Sequence, residues 1–294
     1  MKVIVISNCL TGSYHGAVTA LFPDWDVKAA GFNQAQQWLE TGEKPEFAQF
    51  LAECDLYIGF PVEGLHMETA LNPNAERLII PDLYFRGLHP DVAKLDGFWG
   101  PFSTEEAPHT QCSLIMVGGR ALGKTAEETQ ALFREDVYER LGYFDLFASE
   151  RNRMIADFAK NGIALDEAFN FWETQRDFVF VPHHPRSVVP VEIIRCAFKD
   201  RYLDPEAYVA SQSLRETEPD RLAPMTEIWP VYPEIARRFG FEGSLTWHRF
   251  PRYSPREMSL AQVIDKTFAS LDKMDESWKS VPFVAECAKL LEDV

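Results

Sequence analysis

The chain has 294 residues, of which 46% are hydrophobic and 25% charged, and its formal net charge is −16 at pH 7. This length is enough to bury a sizeable core as one large domain or two small ones. The acidic charge argues against non-specific binding of nucleic acid or of an anionic membrane surface. An anionic ligand would therefore need a local group of basic side chains.

Targeting signals and disulfides are not expected. Met1 and Lys2 lead directly into a short apolar segment, which predicts that there is no signal peptide. No apolar run approaches the roughly 20 residues that span a bilayer. The cysteines are odd in number and scattered, which is typical of reduced thiols in a cytoplasmic protein; they are Cys9, Cys54, Cys112, Cys196 and Cys287.

In the first third of the chain, short apolar segments alternate with amphipathic ones. The predicted strands cover 2–7, 55–60 and 77–81, and the predicted helices cover 14–22, 32–41 and 45–53. This alternation is typical of a small parallel sheet with helices on its faces. Ligands of such sheets bind at the carboxyl ends of the strands, so we expect the site in the loops 7–13, 61–66 and 82–91.

From about residue 112 the helical period dominates. Capping boxes predict helix starts at Thr125 and Ser259, and Asn161-Gly162 predicts the end of a long helix over 138–161. A late strand over 177–182 precedes an apolar helix that reaches about 199, and 241–257 has a loop composition. The predicted fold class is α/β, a single compact domain over 1–294. It has an α/β part over 1–111 and a larger, mainly helical part over 112–294.

The turn after the first predicted strand holds the first candidate for chemistry. The apolar run from Val3 to Ile6 ends at Ser7-Asn8-Cys9, and a helix-like segment follows. A helix start carries positive dipole character, which lowers the pKa of a nearby thiol and favours anions. The alternative is a small buried cysteine at the end of a strand.

Two loop histidines follow predicted strands and supply candidate partners for the thiol. His89 lies before Pro90 and Asp91, and His184 lies before Pro185. An imidazole can take a proton near neutral pH, and the neighbouring Arg86 and Arg186 can hold phosphate or carboxylate. The alternative for each histidine is a solvated loop side chain. If both loops converge on Cys9, they provide a nucleophile, bases, an orienting carboxylate and anion clamps.

Two other interpretations use different residues. A metal site is disfavoured because the sequence lacks Cys-x-x-Cys and other tight ligand spacings. The segment 118–125 reads Gly-Gly-Arg-Ala-Leu-Gly-Lys-Thr, which matches the phosphate-binding P-loop pattern after an apolar run at 114–117. No later strand ends in an aspartate to hold magnesium, and Thr125 is already explained as a helix cap. A nucleotide-binding protein is thus the weaker hypothesis.

Several segments together resemble the WcbI-type capsular polysaccharide biosynthesis proteins. They are Val3 to Cys9, Tyr84 to Asp91, Gly123 to Glu128, His184 to Arg186 and Ile228 to Ile235, in the family's order. The resemblance implies an acetyltransferase that uses coenzyme A (CoA) or acetyl-CoA and a sugar or polysaccharide acceptor. By position it implies that Asn8 and Cys9 lie at the catalytic centre, with His89, Asp91 and His184 as nearby catalytic candidates. We expect Arg86 and Arg186 to hold the CoA phosphates, and Ser7 and Leu10 to belong to the same cofactor site.

The chain departs from the family pattern in its first motif. Ser7 stands where the family has Gly, and Leu10 stands where it has Gln. We expect His89 or His184 to act as the base that deprotonates a sugar hydroxyl. In the alternative route, Cys9 is acylated first and then passes the acyl group on. Other hypotheses are a cysteine-dependent thioesterase or esterase with water as acceptor, and a non-catalytic binding protein that keeps the fold.

Overall fold

This computed structural model describes residues 1–63, 65–103, 109–175, 177–216, 227–249 and 257–294. The chain divides into two compact units, each assembled from separate stretches of sequence. The first unit comprises Met1–Tyr84, Arg153–Phe178 and His184–Pro224, and the second comprises Phe85–Asn152, Val179–His183 and Met225–Val294. The organisation of 1–294 as a single compact domain stays a prediction.

The first unit begins with a parallel sheet and the helices that connect its strands. In chain order these elements are β1 (Lys2–Ser7), α1 (Thr11–Leu21), β2 (Asp26–Gly31), α2 (Phe32–Thr41), α3 (Pro45–Glu53), β3 (Leu56–Gly59), α4 (His66–Ala70) and β4 (Glu76–Ile79). The four strands are parallel and lie in the order β2-β1-β3-β4. The predicted small parallel sheet is confirmed.

The core of this sheet is built around β1, in which Val3–Ile6 are fully buried. Apolar side chains of α2, α3 and α4 pack against it. At Gly59 in β3, a Cβ atom would lie 2.0 Å from the carbonyl oxygen of Ile6, so only glycine permits this approach of β3 to β1. The sequence prediction missed β2 because this edge strand is largely exposed and lacks an apolar alternation.

The rest of the chain is mainly helical, as predicted. Its elements up to residue 216 are β5 (Val92–Lys94), β6 (Gln111–Ser113), α5 (Leu114–Ala121), α6 (Ala126–Gln130), α7 (Glu135–Arg140), α8 (Leu146–Ala159), α9 (Asp166–Thr174), β7 (Val179–Val181), β8 (His184–Pro185), α10 (Val188–Phe198), α11 (Pro205–Ala210) and a 3-10 helix (Ser211–Glu216). Those from residue 227 are β9 (Glu227–Ile228), α12 (Pro233–Arg238), β10 (Thr246–Arg249), β11 (Glu257–Ser259), α13 (Leu260–Leu271), a 3-10 helix (Glu276–Ser280) and α14 (Pro282–Leu291). Among the described helices, none combines the length and the apolar character needed to cross a membrane.

Two predicted helix starts are confirmed by the structure, and two other predicted elements are wrong. Both capping boxes, at Thr125 and Ser259, are confirmed. The single helix predicted over 138–161 is wrong, because the chain breaks at Gly142, whose φ of 71° is left-handed, between α7 and α8. The loop predicted over 241–257 is wrong where β10 pairs antiparallel with β9 and β11. Residues 250–256 of that loop lie outside the described residues.

The segment that matches the P-loop pattern has a different structure. Residues 114–121 form α5 rather than a strand, so the strand-loop-helix arrangement of a P-loop is missing here. The two glycines at 118 and 119 serve close packing: a Cβ on Gly118 would lie 2.9 Å from Cys287 Sγ of α14, and one on Gly119 would lie 2.6 Å from Thr129 Oγ1 of α6. Lys124 Nζ donates to the carbonyl oxygen of Val294 at 3.0 Å.

Candidate active site

Cys9 lies in the loop between β1 and α1, at the carboxyl edge of the parallel sheet. It is exposed, whereas the other four cysteines are buried. Burial raises the pKa of Cys54 and Cys196 to about 11 and that of Cys287 to about 12. Because a thiol reacts as its thiolate, the exposed Cys9 is the cysteine best placed to act as a nucleophile.

The imidazole of His184 lies against this thiol. His184 Nε2 is 3.1 Å from Cys9 Sγ, although the two residues are 175 positions apart in sequence. This distance allows the imidazole to take the thiol proton, which is how a cysteine nucleophile is activated. Among the described residues, no group of three His, Cys, Asp or Glu side chains lies close enough together to hold a metal ion.

Packing between α1 and α10 holds this pair together. Cys9 lies two residues before α1, His184 lies four residues before α10, and the two helices are in contact. At their other ends, the rings of Phe22 and Phe198 meet with centroids 5.3 Å apart. The helices therefore run side by side in the same direction, with their N-terminal ends on the same side as the Cys9–His184 pair. Neither α1 nor α10 has an acidic residue in its first turn, so the positive dipole ends of both helices favour negative charge on the side of the thiol.

Asn8 is held in one orientation by its neighbours. Its Nδ2 donates to Asp82 Oδ1 at 2.8 Å, and its Oδ1 accepts from the backbone N–H of Leu10 at 3.0 Å and from Cys9 Sγ at 3.7 Å. A carboxylate only accepts and a backbone N–H only donates, so these partners determine which end of the amide faces which group. Asp82 is a site residue that sequence reasoning missed, although it opens the predicted ligand loop 82–91.

Tyr14 is a second residue that the sequence prediction missed. It lies in the first turns of α1 and is only 2% exposed. Burial raises its pKa well above the ordinary value, and the negative charges of Asp82 and Cys9 act in the same direction. Its hydroxyl group therefore stays protonated, and it has no hydrogen-bond partner among the described residues. Tyr14 is thus a potential neutral donor beside the thiol.

Ser7 and Leu10 flank the Asn8-Cys9 pair and are both buried, at 2% and 1% exposure. Ser7 ends β1, and the carbonyl oxygen of Leu10 accepts from the backbone N–H of Tyr14 as α1 begins. Leu10 thus contributes to the core beneath the thiol. Contacts of these two residues to CoA stay predictions.

The two arginines that are predicted to bind phosphate form hydrogen bonds within the protein. Arg186, in the first unit, donates through Nε to the carbonyl oxygen of Asp177 at 2.6 Å and through Nη2 to its Oδ2 at 3.0 Å. Arg86, in the second unit, donates through Nη2 to the carbonyl oxygen of Pro90 at 2.5 Å. Their role in binding CoA stays a prediction.

His89 and Asp91 lie in the second unit, whereas Asn8, Cys9 and His184 come together in the first. His89 is 3% exposed, and its Nε2 donates to the carbonyl oxygen of Val179 at 3.0 Å. Asp91 is 1% exposed and accepts from the hydroxyls of Tyr143 and Tyr232, both at 2.6 Å. Burial raises the Asp91 pKa, while its hydrogen bonds oppose that shift. These contacts give both residues structural roles, and their catalytic roles stay predictions.

An exposed cysteine paired with a histidine at the edge of a parallel sheet defines an α/β protein with a candidate nucleophilic site. A sequence profile described as "Polysaccharide biosynthesis enzyme WcbI" matches residues 2–200. The chain belongs to the WcbI family of polysaccharide biosynthesis enzymes. No curated protein matches it at a significant level.

One solved structure, that of WcbI, is similar over almost the whole chain. The TM-score is 0.69 with 12% sequence identity, and the similarity covers 98% of each chain. At this identity the likeness shows the fold alone. That structure is described as the native protein without a disulfide bond between CoA and one of its cysteines.

A structural role for Asp91 predicts a large loss of stability when its carboxylate is removed. In Asp91→Ala, the buried hydroxyls of Tyr143 and Tyr232 lose their acceptor, and the free energy of unfolding should fall by about 3–5 kcal/mol. Urea denaturation followed by circular dichroism measures this change. The exposed Asp24 provides the control, because Asp24→Ala should change stability by less than about 0.5 kcal/mol. Equal stability of the two variants would contradict the structural role.

Proposed function

We propose that this protein is an acyltransferase that moves an acyl group, with acetyl as the simplest case, from CoA to a sugar hydroxyl. The observation that carries the proposal is the 3.1 Å contact between Cys9 Sγ and His184 Nε2. Membership of a family of polysaccharide biosynthesis enzymes supports a sugar acceptor. The description of the similar WcbI structure names CoA together with a cysteine, and Cys9 is the exposed cysteine of this chain.

The first half-reaction transfers the acyl group to the protein. His184 Nε2 takes the proton of Cys9, and Sγ attacks the carbonyl carbon of the CoA thioester. When the tetrahedral intermediate collapses, the bond between that carbon and the CoA sulfur breaks. The departing thiolate receives the proton from His184, so free CoA leaves and an acyl-Cys9 thioester remains.

The second half-reaction transfers the acyl group to the acceptor. His184, neutral again, takes the proton of a sugar hydroxyl as its oxygen attacks the acyl-Cys9 carbonyl. The carbon–sulfur bond to Cys9 breaks, and the proton returns from His184 to Sγ. The product is a sugar ester, and the enzyme returns to its starting state. With water as acceptor, the same steps would make the protein a thioesterase.

The surroundings of Cys9 favour the negative charge that develops in both steps. α1 begins two residues after Cys9 and α10 begins four residues after His184, so the positive dipole ends of both helices lie on the side of the thiol. Asn8 Nδ2 keeps a second hydrogen beyond the one donated to Asp82, and the Tyr14 hydroxyl stays protonated. These groups are the candidate donors to the oxyanion.

The residues around Cys9 also fit the anionic donor. The two helix N-termini provide positive potential in a chain whose net charge is −16. Arg186, whose side chain is 26% exposed, lies two residues after His184 and can exchange its exposed partner Asp177 for a phosphate. None of the five cysteines, all of which are described, forms a disulfide bond, which is typical of the cytoplasm, where we place the reaction.

Replacing either member of the pair should abolish acyl transfer. We expect Cys9→Ser and His184→Gln each to lower the rate of CoA release from acetyl-CoA by about 100-fold or more, because each removes the nucleophile or its base. The measurement is chromatographic quantification of CoA with and without a mixture of saccharide acceptors. The exposed His66 of α4 supplies a matched control, and His66→Gln should retain the wild-type rate.

The dependence on acceptor separates the possible outcomes. Acceleration of CoA release by saccharide supports transfer, whereas release at one rate regardless of saccharide indicates a thioesterase. A wild-type rate in Cys9→Ser, with loss only in His184→Gln, would replace the covalent route by direct deprotonation of the sugar hydroxyl. A wild-type rate in both variants would contradict the proposed site.

Asp82 should act by positioning Asn8. In Asp82→Ala, Asn8 loses the partner that orients its Nδ2, and we expect kcat for acyl transfer to fall by about tenfold, with little change in KM for acetyl-CoA. Steady-state kinetics and a thermal melt of each variant provide the test. Glu63→Ala removes an exposed carboxylate from the loop after β3 and should leave kcat unchanged. An equal loss in both variants, or a rise in KM alone, would exclude the positioning role.

A further inference from the structure

A cavity in the second unit has no role in the proposed reaction steps. Its volume is about 560 Å³, and it lies between the segment 99–103 and the outer face of α13. This volume is within the range of sites that hold small organic ligands, about 300–1,000 Å³. The lining combines an indole ring, two lysines and small side chains.

Trp99 forms one wall of this cavity and is 46% exposed, whereas the other six tryptophans are all more buried. The backbone around it is well held: Trp99 N–H donates to Ser270 Oγ at 3.2 Å, and Gly100 N–H donates to the carbonyl oxygen of His109 at 2.7 Å. A Cβ on Gly100 would lie 2.9 Å from that oxygen, so glycine is needed for this approach. The exposed indole is thus presented by a fixed segment.

Lys266 and Lys273 form the opposite side. Lys266 lies on α13, and Lys273 lies two residues beyond the end of that helix at Leu271. Both lysines line the cavity. The small residues Ala269 and Ser270 lie between them and leave the groove open. Within the described part of the chain, neither lysine forms an ion pair with a carboxylate, and Lys266 Nζ contacts only the carbonyl oxygen of Pro101, at 3.3 Å.

This combination of groups matches one class of ligand. The C–H face of a sugar ring packs on an exposed indole, and ammonium groups attract carboxylates. Two ammonium groups line one cavity, so a ligand with more than one carboxylate can pair with both of them. We propose that this cavity binds an oligosaccharide that carries carboxylate groups, such as a chain of uronic acids. The choice of a saccharide as the class of ligand rests on the proposed function.

The proposal can be tested with the full-length protein and defined probes. We would follow tryptophan fluorescence during titration with a galacturonic acid tetramer, with the neutral maltotetraose, with inorganic phosphate and with CoA. The acidic tetramer should bind at least about tenfold more tightly than the neutral one and should weaken as salt is raised. Calorimetry should show affinity lost in Trp99→Ala and reduced about tenfold or more in a Lys266→Gln/Lys273→Gln double variant.

Lys289→Gln, which removes an exposed lysine from α14, is the matched control and should bind as the wild type does. Failure of the acidic tetramer to bind, equal affinity for the neutral tetramer, or binding unaffected by the three site substitutions would overturn the proposal. So would competition by CoA or by phosphate alone, since the cavity would then be a phosphate site.

The outcomes for this cavity and for Cys9 can be separated. A protein that releases CoA through Cys9 but does not bind the tetramer would overturn the oligosaccharide site alone. A protein that binds the tetramer through Trp99 but releases no CoA would overturn the proposed acyl transfer alone.

Discussion

The contact between Cys9 and His184 is the interaction on which the proposed chemistry depends. It is supported by the packing of two helices, because Cys9 lies two residues before α1, His184 lies four residues before α10, and the two helices are in contact. β1 is fully buried over Val3–Ile6, so the start of α1 has little freedom to move. All residues of α10 are buried as well, which restrains the start of that helix. The pair is thus supported by the core of the first unit.

The same packing accounts for how an acidic protein can accommodate an anionic donor. With a net charge of −16, the protein surface as a whole repels phosphates. Two parallel helices bring two positive ends to one place without requiring any basic residue, and neither first turn contains an acid that would cancel them. Asp82 adds a negative charge near the site. Its carboxylate accepts a hydrogen bond from Asn8 Nδ2 and so orients the Asn8 amide.

Local patterns allowed prediction of the class of fold, the first strand and the exposed loop residues, because a buried run ending in a turn is visible in adjacent residues. The sequence indicated the convergence of His184 on Cys9 only as a condition. The two residues are 175 positions apart, and no local pattern shows which helices pack together. Asp82 was missed because an acidic residue in a loop is usually solvated. Asp91, in a motif similar to that of His184, accepts hydrogen bonds from buried tyrosines, so a residue type and a loop position alone do not distinguish a structural role from a catalytic one.

The proposed mechanism requires Cys9 to carry the acyl group between donor and acceptor. Intact-mass spectrometry after acid quenching, with acetyl-CoA present and acceptor absent, tests it most directly. We expect the protein to gain one acetyl group, located on Cys9 by peptide mapping, and to lose it when a saccharide acceptor is added. An enzyme that acetylates the acceptor at its full rate while never gaining mass would contradict it.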